Sequence, residues 1–120
     1  MSKVLLKVTV NNLTHELKGI LNKKENIITY SDAENIINKI YLNNNVLVRN
    51  SSVQNILIDF NKKEILYHSI DGTEISIPIS IINLVKDEYS FSVTYYINEC
   101  EVFDYKISIY EKSKKNIAFV

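Results

Sequence analysis

The stretch Lys3-Val4-Leu5-Leu6-Lys7-Val8-Thr9-Val10-Asn11-Asn12-Leu13-Thr14-His15-Glu16-Leu17-Lys18-Gly19-Ile20-Leu21 decides how the rest of the chain is read. Val4, Leu6, Val8 and Val10 alternate with Lys3, Leu5, Lys7 and Thr9, the period of two that marks a half-buried strand. After Asn11-Asn12 the alternation resumes, with Leu13, His15, Leu17, Gly19 and Leu21 on one face. Asparagine tolerates positive φ, so an Asn pair between two alternating runs is a tight hairpin turn.

Working outward, the pattern repeats to the end of the chain. Asn22-Lys23-Lys24 turns, and Glu25 to Ser31 returns as a third strand. Asp32 to Leu42 has two readings. Ser31-Asp32-Ala33-Glu34 has the residues to cap a short helix bearing Ile36, Ile37 and Ile40. Ile37-Asn38-Lys39-Ile40-Tyr41 also reads as a short strand, favoured because the remainder is β. Asn43-Asn44-Asn45 turns, Val46 to Arg49 is a strand, and Asn50-Ser51-Ser52 turns again. Val53 to Phe60 and Lys63 to Ser69 flank the turn Asn61-Lys62. Asp71-Gly72 is the strongest turn signal in the sequence.

Ile75, Ile77, Ile79 and Ile81 then alternate with Glu74, Ser76, Pro78 and Ser80. Pro78 has no amide donor and so marks an edge, a bulge or a bend. Lys86-Asp87-Glu88 and Asn98-Glu99 are the last turns. Between and after them, Tyr89, Phe91, Val93 and Tyr95 share one face, as do Phe103, Tyr105, Ile107 and Ile109. The tail, Glu111 to Val120, is charged and then apolar, and from about residue 112 a docked and a loose tail both remain open.

The sum is an all-β, single domain over residues 1–120. Eight to ten short strands in consecutive hairpins form an antiparallel meander. Closure removes the two open edges of such a meander, so a closed or nearly closed barrel is expected, with a two-layer sandwich as the alternative. Composition agrees. Val, Ile and Thr supply 34 of 120 residues and Tyr and Phe 12, while Ala occurs twice. Branched and ring side chains suit a pleated surface, and alanine is the best helix former.

Fourteen basic and 14 acidic side chains leave no net charge, so the basic field of a nucleic-acid binder is missing. Lys7 interrupts the N-terminal apolar run before it reaches signal-peptide length. No run approaches the ~20 apolar residues of a membrane helix. Cys100 is the single cysteine and has no internal partner for a disulfide, which fits a reducing compartment. A cytoplasmic protein with neither nucleic acid nor membrane as partner is expected.

The layout resembles a family. It opens with a strand of alternating lysine and aliphatic residues. The run Val46-Leu47-Val48-Arg49-Asn50-Ser51-Ser52-Val53-Gln54-Asn55-Ile56-Leu57-Ile58 follows, then the Asp71-Gly72 turn. Two long strands meet at Ile97-Asn98-Glu99-Cys100. From about Val4 to Glu111 this is similar to the YwiB-like family of small bacterial proteins. That resemblance implies a lipocalin-like, calycin-type barrel and carries no established activity. At Ser69-Ile70-Asp71-Gly72 only the glycine of the family's pattern is kept.

Candidate chemistry is sparse. His15, His68 and Cys100 do not sit at metal-ligand spacing, so no metal site is expected. There is no Gly-x-Ser-x-Gly elbow and no glycine-rich phosphate loop, so neither an enzyme nor a cofactor is expected. Asp59 and Asp104 interrupt apolar strands and read as outward-facing.

Arg49 is the only arginine and ends an apolar strand. Pointing inward, its planar fork suits a carboxylate or phosphate; pointing outward, it is solvated or paired with a surface acid. Tyr67, Tyr89, Phe91, Tyr95, Phe103 and Tyr105 cluster if their strands are neighbours, either lining a pocket or filling a core. The leading expectation is a non-enzymatic binding module for a small amphipathic ligand, using Arg49, Tyr67, Tyr95, Phe103 and Tyr105. The alternative is a protein-interaction or inhibitor protein with a filled core, phage-encoded or host-defence related. A homodimer pairing through its edges is the third reading.

Overall fold

The computed structural model describes residues 1–32, 34–98 and 101–112. Its ten strands are β1 (Ser2–Val10), β2 (Leu13–Asn22), β3 (Ile27–Ser31), β4 (Ile37–Tyr41), β5 (Val46–Asn50), β6 (Gln54–Asp59), β7 (Glu64–Ser69), β8 (Glu74–Lys86), β9 (Ser90–Ile97) and β10 (Glu101–Lys112). Each strand pairs antiparallel with its sequence neighbour, and β1 pairs with β10 to close the barrel. The meander and its closure are thus as expected. The stretch after Ser31 forms a turn and then strand β4, not a capped helix. Among the described residues no helix is long and apolar enough to cross a membrane. Cys100 and the tail beyond Lys112 lie outside the described residues.

Asparagine makes most of the turns. Among the described residues, seven non-glycine positions have positive φ, and six are Asn11, Asn12, Asn26, Asn35, Asn45 and Asn98. A short polar side chain lowers the cost of the left-handed region. Aspartates finish other turns, with Asp59 accepting from the Asn61 and Lys62 amides, Asp71 from Thr73 and Asp87 from Tyr89. Pro78 sits where a missing donor costs nothing. The Ile79 amide donates toward β7, to the Lys63 carbonyl at 3.0 Å, so the Pro78 nitrogen faces β9. The β8–β9 ladder begins only at Ile79↔Ile97.

The inward face follows the period of two. Val4, Leu6 and Val8 of β1, Leu21 of β2, Ile28 of β3, Ile40 of β4 and Ile107 of β10 are all buried. One end of the barrel is plugged. Phe60 and Phe91 meet there at a ring-centroid distance of 5.8 Å, and the Lys86 ammonium straps β8 to the Leu42 carbonyl at 2.6 Å. Asparagine side chains tie the turns of that end, Asn26 to Asn43 and Asn45 to Asn61, at 3.0 Å each.

Gly19 permits a close approach in the wall. A Cβ there would lie 2.5 Å from Leu6 Cδ1 and 2.9 Å from the Thr29 carbonyl oxygen. The β2–β3 ladder also stops at Gly19↔Tyr30, so Leu13 to Lys18 pair with β1 alone. Glycine inside a strand commonly marks such a bend or close contact. Gly19→Ala is expected to destabilise the protein by about 1–3 kcal/mol through overpacking. A thermal melt checks this, and an unchanged midpoint would refute the close-contact account.

Candidate ligand pocket

The end opposite the plug holds a cavity of about 580 Å³. Residues of nine strands, all but β8, line it together with turn residues Asn11, Asp32 and Glu34. Leu47, Ile56, Ile58 and Ile65 form the apolar side of the short strands. Tyr95, Ile97, Phe103 and Tyr105 come from β9 and β10, and Val10, Asn11, Leu13 and His15 stand at the mouth. All five residues singled out in the sequence line this cavity: Arg49, Tyr67, Tyr95, Phe103 and Tyr105.

The aromatic cluster expected from the sequence is divided. Phe91 is fully buried in the plug, and Tyr89 is exposed ahead of β9. The reason is depth. Alternation along β9 puts Phe91, Val93 and Tyr95 on one face but at successive levels of the barrel. Phe60 bridges plug and cavity, 5.5 Å edge-on from Tyr95, and Tyr95 stacks on Phe103 at 5.5 Å.

Arg49 points into the barrel and is also ion-paired. Its Nη2 lies 3.3 Å from Asp32 Oδ2 and its Nε donates to Asn38 Oδ1 at 3.1 Å. The acid is in the β3–β4 turn at the cavity wall rather than on the outer surface. Asn38 is 2% exposed and completes the triad, donating to Asp32 Oδ2 at 3.3 Å and to the Ile36 carbonyl at 3.1 Å. Asp32 Oδ1 accepts from the Glu34 and Ile36 amides at 2.9 and 3.1 Å. Asp32 is thus an Asx-turn residue that also holds the guanidinium.

Burial alone would raise the Asp32 pKa, but these amides, Asn38 and Arg49 together hold it below the ordinary carboxylate value. A depressed folded-state pKa contributes stability that is present above the unfolded value of about 4 and is lost as pH falls through the folded one. Asp32→Asn is therefore expected to flatten the acid limb of the stability curve below about pH 4. Urea titrations of both proteins between neutrality and that range check it; parallel acid limbs would refute the assignment.

Four tyrosines complete the polar part of the wall. Tyr30 and Tyr105 hydroxyls hydrogen-bond at 2.8 Å in the buried interior. Burial pushes both pKa values up, that of Tyr105 far up, and pushes Tyr95 up to about 12 with the nearby Tyr67 adding to the effect. The Arg49 charge, in the same cavity lining, opposes the rise at Tyr30, Tyr95 and Tyr105. Tyr30, Tyr95 and Tyr105 therefore stay protonated at neutral pH. One hydroxyl of the Tyr30–Tyr105 pair donates to the other, whose own proton is left for another acceptor.

At the mouth, the β1–β2 hairpin is pinned to β10. The Asn11 amide donates to the Asp104 carbonyl and the Asp104 amide to Asn11 Oδ1, both at 2.9 Å. The Asp104 carboxylate accepts from Thr94 Oγ1 at 2.7 Å. Asp59 serves its turn, as described above. His15 is exposed at the rim, and His68 lies 3.3 Å from Glu74 on the outer surface.

Tyr30, Asp32 and Asn38 were missed by the sequence reading. Tyr30 shared the inward parity of Ile28, and Asn38 was a polar residue on the inward parity of Ile40, which was the available signal. No family model matches the chain, nor does a curated protein or a solved structure.

Proposed function

We propose that the protein is a non-enzymatic binding module for a small amphipathic molecule, held in the open half of the barrel. One observation carries this reading: a cavity of about 580 Å³, apolar over most of its wall, above a plugged floor. That volume falls in the range of drug-sized ligand sites, which combine an apolar lining with a few placed polar groups. The polar groups are Arg49 and the tyrosine hydroxyls; Phe103 and the isoleucines receive the apolar part. Kinship with the YwiB-like family and a lipocalin-like character belong to the same reading and rest on layout alone. The cytoplasm is the setting we propose, supported by the single cysteine in the sequence.

Titration of the full chain with Nile red tests the reading. Saturable binding of one dye per chain is expected, weakened about tenfold or more in Ile56→Trp, which fills the cavity. Dye binding that ignores Ile56→Trp but falls in Ile37→Lys would overturn it. That outcome would favour the interaction-protein reading, for which the outer apolar groove of about 770 Å³ beside Leu5, Ile20 and Ile37 is the specific support.

A further inference from the structure

The charges around the cavity point to the polar end of its ligand, an inference that rests on the binding-module reading. Among the described lining residues Arg49 is the only permanent cation, against the carboxylates of Asp32 and Glu34, while the Asp104 carboxylate is turned to Thr94 on the outer face. The Arg49 charge is already matched at 3.3 Å by Asp32. Asp32 is in turn fully used, since its two oxygens accept from two amides, Asn38 and Arg49. The carboxylate therefore offers little to a ligand.

Arg49 still has donors to give. Of its five N–H groups, Nε is spent on Asn38 and one Nη2 hydrogen on Asp32. The others remain, in the cavity that Tyr30, Tyr67, Tyr95 and Tyr105 also line. A ligand group seated here meets hydrogen-bond donors in a site with no net positive charge.

A carboxylate or phosphate would bring a further negative charge into a wall already richer in acids than in bases, with its desolvation uncompensated. An ammonium would face the Arg49 guanidinium and find the Asp32 oxygens occupied, leaving only the solvent-exposed Glu34 to meet it. We infer that the ligand is an uncharged amphiphile whose polar end is a hydrogen-bond acceptor, such as an alcohol, ester or amide oxygen, received by Arg49 and the tyrosine hydroxyls. Asp32 then acts as a specificity-determining residue: it positions the guanidinium and cancels its charge.

Displacement of Nile red from the full chain at neutral pH by dodecanol, dodecanoate and dodecylamine, each below its micellar concentration, tests this. Dodecanol is expected to bind about tenfold or more tighter than either charged chain. Asp32→Asn keeps an acceptor for the turn amides and leaves Arg49 uncompensated, so it is expected to shift preference toward dodecanoate. Glu34→Gln, at an exposed position, is expected to shift it the same way by less. Thermal melts of both variants establish that they are folded. Dodecanoate binding as tight as dodecanol in the wild-type protein would overturn the inference and leave the binding module standing. Nile red binding with displacement by none of the three chains would overturn the inference as well. Absence of any Nile red binding to the folded chain would overturn both.

Discussion

Phe91→Ala is expected to lower the stability of the barrel by about 3–5 kcal/mol, the usual cost of emptying a buried phenylalanine site. Phe91 is fully buried near the plugged end of β9, opposite Ile107 of β10 and Lys86 of β8. Its ring packs on Phe60 in the plug at 5.8 Å. Backbone ladders on both sides of β9 limit collapse into the space. The loss would be about a fifth or more of a typical domain's total stability of ~5–15 kcal/mol. Urea denaturation should show a lower midpoint with an unchanged slope. Phe91→Leu, which keeps most of the volume, should cost markedly less. A loss below about 1 kcal/mol for the alanine variant would mean that the plug relaxes and does not close the floor.

Asn38→Leu is expected to cost roughly 2–4 kcal/mol although it nearly conserves volume, because it removes one partner from several hydrogen bonds at once. The Ile36 carbonyl, Arg49 Nε and one lone pair of Asp32 all lose Asn38. An orphaned buried polar group costs about 1–3 kcal/mol, and the partial exposure of Arg49 and Asp32 lets water recover some of that. A double-mutant cycle with Arg49→Met should give a coupling above about 0.5 kcal/mol. Dye affinity should fall with Asn38→Leu even where the protein stays folded, since Arg49 is no longer aimed. Additive single and double variants would show that Asn38 and Arg49 are not one unit.

Strand identity and strand order were both legible before any coordinates, and for a local reason. Period-two alternation and asparagine turns act over a few residues, so Val4, Leu6 and Val8 declare their inward face from their own neighbours. Consecutive hairpins leave little freedom in which strand meets which. The shared faces of Phe91 with Tyr95 and of Phe103 with Tyr105 were legible in the same way, whereas the direction of Arg49 was left open. Parity has no information about depth. Phe91 and Tyr95 have the same parity on one strand, yet one closes the floor and the other lines the cavity. That difference comes from the stagger between neighbouring strands and from the β1–β10 ladder, which joins the two ends of the chain.

The charge state of the pocket is equally non-local. In the sequence Asp32 belongs to a helix-cap candidate and Asn38 to a short strand, with nothing to join them to Arg49. They become a neutralising frame for Arg49 only when β4 pairs with β5 and sets Asn38 opposite Arg49. Alternating side chains and turn chemistry thus settle the barrel and its inward faces, because those preferences are local. Closure settles the pocket, because its depth, its plug and the Asp32–Asn38–Arg49 contacts join residues whose neighbours in sequence carry no trace of one another.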